Sequence, residues 1–412
     1  MVFENRNPYK GSLHKSKLGK LQDWPWPLIY ALITFAAILI LFLVGVPRII
    51  RWRVKQETQF RNGTETWKKL TNITLPVFFN VRMFNITNPD ALETGDKFVL
   101  EELGPYVYEE KRVKNITKTD EEEDTVTYFE TKTYFFRPDL SNGSESDLVN
   151  SINYPFLAAA TIAKKYVNGL SNVVIWALEG LDEEIILRNV PVRGLIFNGM
   201  DIDPIYSSLS QFSPKGVPKQ FVGDTFSYFN GRNGSHTGEF KIMSGVKDSS
   251  KLGNTVSWDG KKELEIWTDE SLPDDQQYCN RLNGSDGSIT PPFMTTDRKL
   301  YIFYDMLCRS LLFTYNSTSE YQGIPSWQFT LPAGIFSRPE INPDNKCFCL
   351  NPGGGLDSRC LDGIYRAFSC YSDSPFAFSK PHFLHGDQQL IDGVEGLKPV
   401  LEKHDSMVEF EP

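Results

Sequence analysis

Hydrophobic positions along this 412-residue chain fall into three regimes. The first is continuous. Between Trp24 and Pro47 there is no charged residue, and "LIYALITFAAILILFLVGV" spans Leu28–Val46. At about 1.5 Å per helical residue the run covers roughly 28 Å, the thickness of a bilayer's hydrocarbon core. It is longer than the apolar core of a cleaved signal peptide, a polar tail precedes it, and Pro47-Arg48 follows it with no small-x-small site. The pattern predicts an uncleaved transmembrane anchor at residues 24–47, with a tail at 1–23 and a large domain at 48–412.

The second regime is rich in β-branched and aromatic residues. "LPVFFNVRMFNITNPDAL" (75–92) and "TVTYFETKTYFFRP" (125–138) predict strands. The acidic run "DEEED" (120–124) lies before the second of these as a solvated hairpin tip. It lacks the alternating ligand spacing and the glycine of a calcium loop. Further on, "TVSWDGKKELEIW" (255–267) has Asp259-Gly260 between β-type flanks, a hairpin signal. "KLYIFYDMLCRSLLFTY" (299–315) and "SWQFTLPAGIF" (326–336) continue in the same manner.

The third regime has helical spacing. In residues 154–190, Ile162, Tyr166, Leu170, Val173, Val174 and Leu178 recur at three- and four-residue intervals and form one apolar stripe. Gly169 followed by Ser171 divides the segment into two helices, with Ser171 as N-cap. Such a stripe either packs on a core or forms a cap with an apolar face open to a ligand. Lys164 and Lys165 stand on its first half, and Glu179, Asp182, Glu183 and Glu184 on its second.

Charge and sequons orient the chain. Both flanks of the anchor are basic, so the positive-inside rule does not decide. Asn-x-Ser/Thr triplets occur at Asn62, Asn72, Asn85, Asn115, Asn142, Asn233, Asn283 and Asn316, all after the anchor. They predict a glycosylated exterior domain and a cytosolic tail. The net charge is −9; residues 1–55 carry nine basic and two acidic side chains, leaving the remainder at −16. An acidic domain without a basic stripe excludes nucleic acid as partner.

All six cysteines, Cys279, Cys308, Cys347, Cys349, Cys360 and Cys370, lie in the last third, on the oxidising side. Their spacing does not suit zinc, and C-x-x-C is absent. Cys347 and Cys349 in an extended segment stand about 6.6 Å apart, at the edge of disulfide geometry. The pattern predicts three disulfides stapling residues 279–370, with the connectivity left open by spacing.

Catalytic motifs are missing. "GSHTG" (234–238) puts His236 where a hydrolase would have its nucleophile, and H-E-x-x-H is absent. "NPGGGLDS" (351–358) has glycines but no Lys-Ser/Thr pair and is a turn. In "KPHFLHGD" (380–387), Pro381 and Gly386 frame too short a segment for His382 and His385 to ligate a metal from a helix; with His404, these are loop histidines. No enzyme, metal or cofactor is expected. A lumenal enzyme is the distant alternative and would need a close nucleophile or metal-ligand cluster in the fold.

Several stretches together resemble the class B scavenger receptors, a family that includes fatty-acid translocases, lysosomal integral membrane protein type 2 and sensory neuron membrane proteins. They are "FNITNPDAL" (84–92), "LGPYVYEEKR" (103–112), "NYPFLAAA" (153–160), "YCNRLNGSDGSITPPF" (278–293), "CRSLLFTY" (308–315), "NPDNKCFC" (342–349) and "KPHFLHGD" (380–387). The resemblance covers residues 60–412. It implies an α+β fold, a large antiparallel β-barrel-like ectodomain with a helical-bundle crown at 154–190, preceded by the one N-terminal transmembrane helix. It also implies the pairs Cys279–Cys347, Cys308–Cys370 and Cys349–Cys360.

The function implied by the resemblance is that of a receptor. Lipid or lipoprotein docks on the crown, and fatty acid, sterol or phospholipid passes through an apolar tunnel toward the membrane. The plasma membrane is the expected home in preference to the lysosome, and oligomers are compatible with the family. Family members that take anionic particles carry lysines near the second crown helix, where this chain has "LEGLDEEI" (178–185). A protein-sorting or adhesion receptor using that acidic crown is therefore the alternative. Members also continue past "MVEFEP" (407–412) into a second transmembrane helix, so the ectodomain is expected to be incomplete at that end.

Overall fold

A computed structural model describes residues 26–411 apart from 74–75, 167–184, 204–205, 207–219, 223, 269–272, 274–277 and 351–359. The chain divides into two units, Met1–Gln56 and Glu57–Pro412. The described part of the first is all helix, in α1 (Trp26–Thr58), which is 33 residues long and apolar enough to cross a membrane. Its apolar side chains are exposed. Helix α1 continues past the expected span at 24–47, through the basic residues that follow. The reason is local. Residues Leu41–Gly45 form a π turn immediately before the proline, whose missing N–H and bulky ring an ordinary α turn would not accommodate.

The second unit begins with α2 (Glu65–Thr71), capped by Thr64, whose hydroxyl accepts from Trp67 N at 3.2 Å. Strands β1 (Val77–Ile86), β2 (Leu100–Asp120) and β3 (Thr125–Phe136) form an antiparallel meander. After β4 (Leu148–Ile152) comes α3 (Tyr154–Tyr166). Asn153 starts this helix by accepting from Phe156 N at 3.1 Å, and Pro155 sits in the first turn, where its lack of an N–H costs nothing. Next are β5 (Ile186–Pro191), then the short β6 (Met200–Asp201), β7 (Phe221–Val222) and β8 (Thr225–Phe226).

The main sheet is completed by β9 (Ser235–Met243) and β10 (Thr255–Trp258), in the order β1-β2-β3-β9-β10. A second sheet has the order β11-β12-β13-β16, from β11 (Leu300–Tyr304), β12 (Arg309–Tyr321), β13 (Ile324–Thr330) and β16 (Met407–Phe410). Between β13 and β16 in sequence, β14 (Tyr365–Arg366) and β15 (Ala377–Phe378) pair with each other. Both main sheets curl into half-barrels. The register slips between Val81 and Met83, Ile116 and Lys118, and Tyr315 and Ser317 add local bend to the ordinary strand twist. The first slip faces Gly104-Pro105 of the "LGPYVY" stretch: Pro105 has no N–H to give, and a Cβ on Gly104 would stand 2.9 Å from Val81 O.

Three differences from expectation have physical causes. The helical window 154–190 ends in strand, because Ile186–Pro191 pairs with β4 from Leu148↔Pro191 to Ile152↔Ile186. The tip at 121–124 is a turn as expected, but Asp124 is buried rather than solvated. Its carboxylate accepts from Val246 N and Lys247 N, both at 3.0 Å, and from the Ser244 hydroxyl. Asp259-Gly260 does turn the chain, with Trp258 bridged to Lys261. The arm beyond, however, forms no strand, since Leu264 N donates to Asn280 O at 2.7 Å instead.

The largest core lies among the β3, β9, β10, β11, β12 and β13 side chains, around Tyr128, Ile242, Trp267 and Phe329. A second cluster, including Tyr154, Ala158, Ala159 and Phe226, is buried beneath α3. The small faces of Ala158 and Ala159 let aromatic rings approach the helix closely.

Candidate functional site

The segment expected to bind ligand is only partly among the described residues. α3 supplies its first turns. Ile162 is fully buried, so at that position the stripe packs inward. Lys164 and Lys165 are exposed. Lys165 is not a free charge: its Nζ stands 3.2 Å from Asp373 Oδ1, and the Tyr166 hydroxyl donates to Asp373 Oδ2. This clasp ties the end of α3 to a loop 207 positions away. Sequence reasoning missed Asp373, which carries no local signal. Leu170, Val173, Val174, Leu178, Glu179, Asp182, Glu183 and Glu184 lie outside the described residues, as does the "NPGGGLDS" turn.

An aromatic cluster of Phe79, Tyr108, Tyr134, Phe197 and Phe229 packs with Leu187 and Val190. Phe197 stacks on Tyr134 at 4.6 Å between ring centres and meets Tyr108 edge-on at 5.1 Å. Phe79 meets Phe229 at 5.1 Å. Burial raises the Tyr134 hydroxyl's pKa above its ordinary value, and Glu110 adds to the shift. Deeper in the sheet, Lys114 Nζ contacts Glu130 Oε1 at 2.8 Å and Asp286 Oδ2 at 2.5 Å, and the Tyr128 hydroxyl donates to Asp286 at 2.6 Å. Burial works against the Asp286 charge. Lys114, with the Ser288 and Tyr128 hydroxyls, nevertheless holds its carboxyl well below the usual range.

The histidines meet in an unexpected combination. His382 stacks on His404 at 4.2 Å, not on His385. Its Nε2 is 2.7 Å from Glu102 Oε2, and its Nδ1 accepts from Lys398 N at 3.1 Å. His404 Nδ1 accepts from Val400 N at 3.0 Å. Glu102, His382 and His404 offer ligand atoms within 4.8 Å of one another, close enough to hold a metal ion. Their chemistry fits one poorly. Both His382 nitrogens are engaged, the rings lie nearly parallel, and Arg82, Lys398 and Lys403 line the same cleft of about 630 Å³. A cation there would meet three others. The cluster is a hydrogen-bonded clamp between β2 and the 381–404 segment.

The cysteines pair as Cys279–Cys347, Cys308–Cys370 and Cys349–Cys360, with Cα separations of 5.9, 6.2 and 6.0 Å. These are the three pairs the resemblance implies. Seven of the eight sequon asparagines are exposed; Asn85 is partly buried, with its Oδ1 accepting from Asn150 N at 2.9 Å.

An apolar helix able to span a bilayer, followed by a disulfide-stapled domain of curled antiparallel sheets, defines a membrane protein built around one large α+β domain. Residues 28–412 match the CD36 family, and the chain belongs to it. It is similar to sensory neuron membrane protein 2 of Manduca sexta, 30% identical over 387 residues, covering 89% of this chain and 73% of that protein. Scavenger receptor class B member 1 of Mus musculus is 30% identical over 380 residues, covering 92% and 70%. Lysosome membrane protein 2 of Rattus norvegicus is 28% identical over 360 residues, covering 87% and 70%.

Proposed function

We propose that this protein is a membrane-anchored scavenger receptor that binds lipid or lipoprotein at the segment 154–190 and passes lipid through an apolar conduit to the bilayer. Residues 57–412 then face the exterior of the plasma membrane. The observation that carries this reading is the match to the CD36 family over nearly the whole chain, with scavenger receptors among the relatives. The physics is consistent with it. Lipid transfer needs no catalytic group, only shelter from water, because each exposed CH₂ costs about 0.8 kcal/mol. A long acyl chain crossing water unprotected would lose on the order of 10 kcal/mol.

The test offers lipoprotein particles, labelled separately in protein and in core lipid, to cells that express the full chain. Lipid label should accumulate beyond protein label and beyond untransfected cells. No gain in either label overturns the reading. Particle protein bound without lipid gain would favour the sorting or adhesion receptor, for which the acidic stretch 179–184 is the candidate contact.

A further inference from the structure

Residues 59–64 form a tight turn at the start of the second unit. Phe60 N donates to Ser244 O at 2.9 Å, and the Thr64 hydroxyl donates to Gln59 O at 2.7 Å and to Arg61 O at 2.8 Å. Gly63, with φ +93°, lets the chain carry Thr64 inward as the cap of α2 while Asn62 stays exposed. Asn62-Gly63-Thr64 is a glycosylation triplet, so a sugar on Asn62 would start from a backbone held in one place.

Asn62 also forms part of the wall of a pocket of about 290 Å³. The other walls come from the 119–126 end of the β2–β3 hairpin and from the turn at 244–247, with Phe60, Val126 and Val246 as apolar surface. Arg61 and Glu121 line it too, and their side chains pair with no described residue. The hydroxyl of Thr125, another lining residue, is enclosed without a hydrogen-bond partner, which calls for a polar neighbour. The Asp124 carboxylate is committed to Ser244, Val246 and Lys247, so it ties two of the walls together and is not waiting for a cation. Apolar surface beside uncommitted donors and acceptors suits a sugar, whose ring has C–H faces and a hydroxyl edge. The volume falls below that of pockets for drug-sized ligands and fits a single ring.

We propose that this pocket seats the first sugar of an N-linked glycan on Asn62, which thereby staples the 59–64 turn to the hairpin end and to the 244–247 turn. The proposal rests on the exterior placement of residues 57–412. A ligand tied to its own wall has an effective concentration on the order of millimolar or more, so contacts too weak to hold a free sugar are sufficient. The glycan here is a structural part of the domain and not only a solubilising coat.

The test uses the full chain made in glycosylating cells and held in lipid nanodiscs. Native protein is treated with peptide-N-glycosidase F, and release is followed at each asparagine by mass spectrometry of the peptides. Asn62 should be occupied, and its glycan should be released roughly tenfold or more slowly than those on the exposed Asn115 and Asn316. Denatured protein should lose all of them at similar rates. Thr119→Trp fills the pocket from an exposed strand position without touching the triplet. It should raise native release at Asn62 toward the rate at Asn115. Asn62→Gln should lower the melting temperature of the parent chain but not that of the Thr119→Trp variant. An empty Asn62 with other triplets occupied, native release as fast as at Asn115, release unmoved by Thr119→Trp, or an equal loss of melting temperature in both backgrounds would each overturn the proposal. No glycan at any triplet would overturn the exterior placement along with it.

Discussion

Lys114 shows how much a single side chain can hold in this domain. It is 3% exposed, and removing its charge would leave Asp286 enclosed with only the Tyr128 and Ser288 hydroxyls and the Ser288 N–H as partners, and Glu130 with Lys132 at 3.6 Å. Lys114→Met should cost about 3–5 kcal/mol in denaturant unfolding. Adding Glu130→Gln and Asp286→Asn should recover part of that loss, because no charge then stays buried. His404 sets a different dependence. Burial and the neighbouring His382 lower its pKa, and burial and Lys380 lower that of His385. A histidine whose pKa is lowered by folding contributes stability above its unfolded value, about 6.5, and loses it as pH falls through the folded value. Protonated His404 would also direct an N–H at Val400 N–H, which it now accepts. The melting temperature should therefore fall between pH 7 and 5. His404→Asn, which keeps an acceptor near Nδ1 without the titration, should flatten that fall. An unchanged pH profile in the variant would remove His404 from the account. Asp286 titrates in stronger acid and leaves this window to the histidines.

At the scale of elements, the disulfides differ in what they restrain. Cys279–Cys347 closes 68 positions and Cys349–Cys360 only 11. In the chain-entropy account, losing the first should cost about 4 kcal/mol and the second about 3 kcal/mol. Because Cys279 and Cys347 are buried in the main core, the difference should widen. Paired Cys→Ser variants compared by secretion yield and melting temperature would show whether that order holds. The elements also show what was legible locally. β1, β3 and the α1 run could be read because their periodicity lies in contiguous residues. The helical character of α3 was legible for the same reason, whereas its cap, Asn153, was identified only by its bond from Phe156 N. The far boundary of the helical window was not legible, since Ile186–Pro191 becomes strand only through β4. Likewise Asp124 looked like one more solvated acid until the 244–247 turn was folded against it.

For the molecule as a whole, the sequence alone determined the apolar run of membrane-spanning length, the strand-rich character of the domain, the confinement of the disulfides to its last third, and the family. Each of these is written in composition, spacing or short contiguous motifs, which need no folding to be read. Tertiary structure decided the rest. It brought Asp373 to Lys165 and Tyr166 and set Glu102 against His382 across 280 positions. It also gathered nine of the strands into two curled main sheets and left the others in small sheets of two or three. The physical reason is the range of the interaction. Helical and strand periodicity arise from neighbours in the chain, whereas the partner of a buried charge is chosen by where the sheets carry it.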